Sequence, residues 1–587
     1  MGATKTELPS DLKEVDVIVA GGGTTACVVA SRLSDADPNL SILVIEAGPD
    51  SYQDPSVIHP LLMLTHLMPT SKNTLFYKGS KESQLADREV VVPSGGTLGG
   101  GSSINLLTYS RPQRDDFDSW DTPGWTANDM IPYLKRFETY HGPGSPATHG
   151  DLGPIHVSES TFNVEWSESD FIQAAGKLGW PGVNDLMDLD TNNAVYRNLR
   201  FANKDGLRQD AAHRYLHPRL RDGEHPNLHV LVENQVIRVL FDENKRANGV
   251  EFQRNPSLSQ NGDSSTTPQV VKARKLVIVS SGALGTPLIL ERSGVGDPEI
   301  LAPVGVQPIA DVPGVGRNYL DHHLLTYPYK SSLLPSETAD AVYGGRRDIP
   351  ELIRTNDAIL GWNIADVTGK IRPSDEDVAV LGPAFQAAWN KDYKEKPNKP
   401  LTIITSLSGF PGDPTGVEPG QYMVSDPPDF KTGFFSDPED VDIKMSVWAY
   451  KKQRELFRRM EIYRGEYAPS HPPFPAGSEA ASIDTSEPLK DVKDIVYTSE
   501  DDAILEQWLR KNVGSTWHSM GTCKMAAKEN LGVVDHDLSV YGVKGLKIAD
   551  LSVVPKNVGA NTAATAFALG EKAADIFLEE LGLKSAW

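Results

Sequence analysis

Residues 15 to 48 read "VDVIVAGGGTTACVVASRLSDADPNLSILVIEAG". The first six residues form a short apolar, β-branched run, three glycines follow, a helix-compatible stretch comes next, and "SILVIEAG" is a second apolar run. Strand, glycine turn, helix, strand is the parallel βαβ unit that opens a doubly wound sheet. Within it Gly21, Gly23 and Ala26 satisfy G-x-G-x-x-G/A, and Glu46 follows 20 residues later at the end of the second strand. Glycines let the backbone turn tightly and approach a pyrophosphate at the helix N-terminus, and the acid accepts bonds from ribose hydroxyls. The carboxylate would repel a 2′-phosphate, so an unphosphorylated ADP moiety, from FAD or NAD, is expected.

A second feature separates these two cofactors. "PSGGTLGGGSSINLLTYSR" (93 to 111) holds a run of small residues, Gly99 to Ser103, that permits close backbone approach to another part of a large cofactor. Further along, "KLVIVSSGALGTPLILERSG" repeats the strand-to-glycine-to-helix pattern. Residues 228 to 241 and 247 to 254 read as a hairpin pair, followed by an exposed polar loop, "NPSLSQNGDSSTTPQ". Residues 330 to 440 are rich in Pro, Gly, Asp and Ser and show weak periodicity. Residues 442 to 467 carry Met445, Trp448, Ala449, Phe457 and Met460 at amphipathic-helix spacing, with packing as the expected role.

The chain has 587 residues, 39% hydrophobic and 23% charged, enough to bury a large core, and its 50 Gly and 42 Pro require frequent turns. A formal charge of −22 repels phosphate backbones and anionic lipid heads, so nucleic acid is a poor partner. With only Cys27 and Cys523 there is no disulfide framework, which suits a reducing compartment. The polar N-terminus has no apolar signal region and no run of 18 apolar residues occurs, so neither secretion nor a membrane span is expected. "MGATKT" matches the myristoylation pattern, but a free terminus is the favoured reading, and the final "KSAW" is not an S-K-L address. An intracellular protein, cytoplasmic or peroxisomal, is expected.

"GGTLGGGSSIN" resembles the first signature of the glucose-methanol-choline (GMC) flavin oxidoreductases, and "GALGTPLILERSGVG" (282 to 296) the second. "PGVGRNYLDHH" (313 to 323), "STWHSMGTC" (515 to 523) and "NVGANTAATAFALGEKAADI" (557 to 576) continue the likeness in family order. It extends over almost the whole chain and is strongest toward the fungal alcohol (methanol) oxidases. The resemblance implies an α/β fold in which a Rossmann-like, doubly wound FAD domain (1–155, 225–325 and 510–587) is interwoven with an α+β substrate domain (156–224 and 326–509). It puts the FAD pyrophosphate at Gly21, Gly23, Thr24 and Thr25, the ribose at Glu46, and the adenine near the Val236 backbone. Gly100, Ser102, Ser103 and Asn105 would line the flavin, with Asp550, Asn561 and Thr562 also at the cofactor. Ile104 stands where choline oxidases carry the histidine that bonds to the flavin, so the FAD is expected to be noncovalent. The resemblance also makes a homo-oligomer an expected state.

Oxidising an alcohol requires loss of the hydroxyl proton and transfer of a hydride from carbon to flavin N5. Histidine, with an unperturbed pKa of about 6.5, suits the first step. The resemblance makes His518 that base and Asn561 the hydrogen-bond donor to the developing alkoxide. Alcohol and O2 become aldehyde and hydrogen peroxide, and no metal is called for. Trp517 would wall the substrate cavity. Leu106, where methanol oxidases have an aromatic residue, would widen it beyond methanol. His322 and His323 are assigned structural contacts around the flavin domain.

Three departures stand against the likeness. Ala26 replaces the third glycine, Gly96 a polar residue of the first signature, and about fifteen residues are missing around 420 to 440, where relatives carry a Pro-x-Ser-x-Gly strand. Two other readings therefore accompany the alcohol oxidase. One is a related flavoenzyme for an aryl alcohol or secondary-metabolite hydroxyl, with O2 or another acceptor. The other is a flavin-binding protein that has lost catalysis.

Overall fold

The computed structural model describes residues 4–258, 267–409 and 429–586. β1 (Glu14–Ala20), α1 (Thr24–Ala36) and β2 (Ile42–Ile45) form the expected unit, with β1 parallel to β2 and Ala20 opposite Ile45. Val15 and Val17 to Ala20 are buried on both faces, as are all four residues of β2, which is why these runs are apolar apart from Asp16, whose carboxylate accepts from Ser41 N (3.1 Å) and Arg274 Nε (3.0 Å).

The main sheet adds β3 (Leu228–Leu231), β4 (Asn234–Phe241), β5 (Ala247–Arg254), β6 (Gln269–Val279) and β7 (Leu546–Ile548), in the pairing order β3-β2-β1-β6-β5-β4, with β7 also on β6. β3, β2, β1, β6 and β7 are parallel, and β6-β5-β4 is an antiparallel ribbon. The single strand expected over 228 to 241 is thus two, and only β4 and β5 form a hairpin. The break is Glu233, at φ +58. Because β3 and β4 stand at opposite ends of the pairing order, the ribbon folds back across the end of β2, where Asn234 N donates to Glu46 O (2.9 Å). That return brings Val236 to Glu46.

Helices α2 (Gly282–Arg292) and α3 (Ala563–Glu580) complete this half. α3 lies so close on α1 that a Cβ on Gly570 would sit 2.9 Å from Val28 Cβ. A buried ion pair, Arg32 Nη2 to Glu571 Oε1 (2.7 Å), locks the two, with Tyr215 Oη donating to the same oxygen.

A smaller antiparallel sheet joins Ala194–Arg197, Ala365–Ile371 and Thr402–Leu407. The amphipathic helix expected over 442 to 467 runs only over Val441–Arg458, and Tyr463–Glu466 is a strand paired with Tyr329–Ser331. Gly465, at φ +112, and the buried Arg454–Glu466 pair (2.8 Å) turn the chain back on the helix. The expected shortening around 420 to 440 lies partly outside the described residues. Among the described residues no helix is long and apolar enough to cross a membrane.

Candidate active site

The cavity begins where β1 ends. A Cβ on Gly21, at φ +103, would lie 2.3 Å from Ser280 O, so the turn presses its backbone on the end of β6 in a conformation that favours glycine. Glu46, at the end of β2, is buried and accepts from Gly22 N (2.6 Å) and Gly48 N (2.7 Å). Burial pushes its carboxyl up while these N–H groups pull it down. The carboxylate stiffens the turn and keeps lone pairs for hydroxyls in the cavity it lines.

A second glycine turn packs on the first, backbone to backbone: a Cβ on Gly100 would be 2.8 Å from Gly23 Cα. Thr24 latches them, its Oγ1 donating to Gly99 O (3.0 Å) and accepting from Ser102 N (3.2 Å). Ser103, expected at the cofactor, is off the cavity wall. It is fully buried and its hydroxyl donates to Leu98 O (3.0 Å). The one-turn helix Gly101–Ile104 sets successive side chains about 100° apart, so Ser102 and Ser103 do not share a face.

The opposite end is built by a short ladder, His323–Leu324 against Gly514–Ser515. Asp321 organises it. Its Oδ2 accepts from Tyr319 Oη (2.8 Å) and Ser515 Oγ (2.5 Å), and its Oδ1 from His322 N (2.7 Å) and His518 N (3.0 Å). These bonds hold Trp517 at φ +64, a conformation costing a bulky residue about 1–2 kcal/mol. The turn at Trp517 presents His518.

His322, given only structural contacts by the sequence reading, proves to be the partner of His518. Its Nε2 lies 2.8 Å from Val558 O and its Nδ1 2.8 Å from His518 Nδ1. A carbonyl only accepts, so His322 Nε2 carries a hydrogen. Burial holds His322 below its ordinary pKa, with Asp321 opposing, so the ring is neutral and its Nδ1 is an acceptor. His518 Nδ1 must then donate. His518 Nε2 is left unprotonated, 3.4 Å from Asn561 Nδ2. This tautomer is assigned from the hydrogen-bond pattern. Burial, with the neighbouring His322 adding to it, pulls His518 well below 6.5, so the ring is neutral near neutrality.

Asn561 is held by the same network. Asn557 Nδ2 donates to Asp321 O (3.0 Å), and Gly559 N donates to the buried Asp116 Oδ2 (2.9 Å). Asn557 and the Val558 carbonyl thus tie this loop to Asp321 and His322.

Of the residues expected as cofactor contacts, base, donor or substrate wall, all but Ser103 lie on the wall of one cavity of about 400 Å³. It runs from Glu46 and Val236 to Trp517, His518 and Asn561. Thr25, Asp550 and Thr562 line it between these ends. Asp550 Oδ2 accepts from Gly282 N (2.9 Å) and its Oδ1 from Ser552 N (2.8 Å). A Cβ on Gly101 or Gly282, both on the wall, would meet no protein atom within 4 Å and would take up cavity space instead. Bare backbone at two turns, a helix N-terminus and a carboxylate at one end fit an FAD lying along the cavity. A second chamber of about 1210 Å³ opens toward the smaller sheet and shares Leu324, Thr405, Leu407, Thr516, His518 and Asn561 with the first. His518 and Asn561 therefore stand on the boundary between the two spaces.

Residues 15–324 and 423–570 match the N- and C-terminal models of a family described as GMC oxidoreductase. The chain is 36% identical to an alcohol oxidase of Candida boidinii, over 97% of this chain and 96% of that protein. It is 34% identical to alcohol oxidase 1 of Komagataella phaffii with the same coverage. The Candida alignment spans 644 positions against 587 residues here, so that relative carries segments with no counterpart in this chain. Among solved structures, an FAD-dependent oxidoreductase from Chaetomium thermophilum superposes with TM-score 0.78 at 26% identity, covering 97% of this chain and all of that one. Formate oxidase from Aspergillus oryzae shares the fold, with TM-score 0.79 at 22% identity over 97% of this chain and 99% of that one.

Proposed function

The chain belongs to the GMC oxidoreductase family, and from that premise we propose that it is an FAD-dependent alcohol oxidase, converting a primary alcohol and O2 to the aldehyde and hydrogen peroxide. FAD, when bound, supplies the two-electron acceptor, with flavin N5 as the atom that takes the hydride from the alcohol carbon. What supports this reading is the contact of His322 Nδ1 with His518 Nδ1 (2.8 Å), which leaves His518 Nε2 with a lone pair at the wall common to cavity and chamber.

His518 Nε2 takes the hydroxyl proton. Asn561 Nδ2 donates to the alcohol oxygen as its negative charge develops, and because an amide cannot take up that proton, His518 holds it alone. Trp517 and Leu106 bound the carbon that reacts. The chamber beyond, walled in part by Leu407, Tyr329 and Phe457, supports alcohols larger than methanol, including aryl alcohols. Ile104 on the wall supports noncovalent FAD, since its hydrocarbon side chain offers no nucleophile. The three stretches that build the main sheet support the interwoven division into FAD and substrate units, with limits near 155, 225, 325 and 510.

Peroxide release from the purified, flavin-loaded protein over a panel from methanol to hexanol and benzyl alcohol tests the reading. Peroxide formed in step with aldehyde is expected, with larger alcohols preferred to methanol. Flavin bleached by an alcohol under nitrogen with no peroxide in air would replace O2 by another acceptor. No bleaching by any alcohol would leave a flavin-binding protein without this activity.

A further inference from the structure

Arg208 lies behind the second glycine turn and is 3% exposed. Its Nε donates to Val57 O (2.7 Å), Nη1 to Ser102 O (3.1 Å) and Asn105 Oδ1 (2.7 Å), and Nη2 to Asn105 O (2.9 Å). All these acceptors are neutral, and among the described residues the guanidinium makes no ion pair. Asp210, two residues on, is committed to His213, accepting from its N (2.8 Å) and contacting its Nδ1 (2.7 Å). Asp210, itself buried, offsets the charge through space but does not bond to it, and taking the cation out of water is still costly.

The second observation concerns Asn105. Its Oδ1 accepts from Arg208 and also from Leu107 N (3.1 Å), so the oxygen face of the amide is occupied. Its Nδ2 has no protein acceptor among the described residues, and Asn105 lines the cavity. The amide is thereby oriented with its two N–H donors toward the cavity. Leu106, next in the chain, accepts at its carbonyl from Asn363 Nδ2 (2.7 Å), which ties this segment to the smaller-sheet region.

We propose that Arg208 is a positioning residue for the flavin: it locks Asn105 as a donor into the cavity and sets a positive charge behind the turn that favours the negatively charged, reduced ring. This rests on the FAD reading above. The cation, offset only in part by Asp210, gains a second counter-charge when the ring becomes negative on oxidation of the alcohol. It also assigns a role in the redox balance to a side chain that touches neither substrate nor the reacting atoms.

The experiment uses the full-length, flavin-loaded protein, with FAD content measured first by absorbance. Sulfite, whose lone pair adds to flavin N5 and leaves negative charge on the ring, is the probe. Arg208→Met should retain FAD but bind sulfite about tenfold or more weakly, with a lower flavin midpoint potential. Arg208→Lys, which keeps the charge and loses the fork, should recover most of the sulfite affinity. Asn105→Ala, with Arg208 intact, should weaken sulfite binding in the same direction. Sulfite affinity and potential indistinguishable from wild type in flavin-loaded Arg208→Met would overturn the proposal. If that variant does not fold, an unchanged Asn105→Ala would overturn it instead. Wild-type protein that takes up no FAD would overturn the flavin reading itself, a separate outcome.

Discussion

The two ends of the cavity are built on opposite principles. At the glycine turns the working surface is backbone, and function depends on what is missing: Gly21 sits against Ser280 O, Gly100 against Gly23 Cα, and neither position has room for a methyl group. At the His518 end the surface is side chains, and the proposed function depends on the polarity of each hydrogen bond, from Val558 O through His322 to His518. Excluded volume acts all or none, whereas a hydrogen-bond chain degrades by degrees. Substitutions at the first end should remove the cofactor, and those at the second should slow the reaction while the cofactor stays.

The largest effect is expected at the backbone end. Gly21→Ala meets both a φ of +103 and a carbonyl at 2.3 Å, so purified protein should carry essentially no FAD, measured by absorbance and by titration with free FAD. Retained stoichiometric FAD would break the contrast. At the other end, Asn561→Ala should keep its FAD and lower the rate of anaerobic flavin reduction about 10²–10³-fold, the usual cost of one preorganised donor. A smaller loss is expected for His322→Phe. Without its acceptor, the buried His518 Nδ1–H costs about 1–3 kcal/mol, so the ring shifts to the wrong tautomer and reduction slows roughly 10- to 100-fold. A His322→Phe protein reduced at the wild-type rate would show that the tautomer chain is not used. The mildest test is pH. Because burial and His322 hold His518 below 6.5, neutral base persists on the acid side of neutrality, and the reduction rate should fall only as pH drops through that lowered pKa.

The glycine end was largely legible in the sequence because its signals are local: the turn, Glu46 and the flanking apolar runs fall within one βαβ unit. Ser103 was misplaced because one residue of helical rotation is invisible in a motif of small residues. His322 was passed over for a different reason. Its partner lies 196 positions away and is brought to it by the His323–Ser515 ladder, which no periodicity announces. The smaller sheet was hidden by its chemistry. Its central strand, Ala365–Ile371, is wholly buried yet contains Asp366, Thr368 and Lys370. Asp366 pairs with Arg200 (3.0 Å), and Lys370 Nζ donates to Arg111 O (2.6 Å) and Gln113 Oε1 (2.7 Å), while burial pulls the lysine down to about 7. A core strand satisfied by such partners reads as a polar loop.

In the proposed reaction His518 Nε2 is the base that receives the alcohol proton. Anaerobic stopped-flow reduction of the bound flavin by a saturating primary alcohol, compared between wild type and His518→Ala at matched FAD content, tests it most directly. Reduction should slow by about 10²–10⁴-fold in the variant. Equal rates in the two proteins would contradict it.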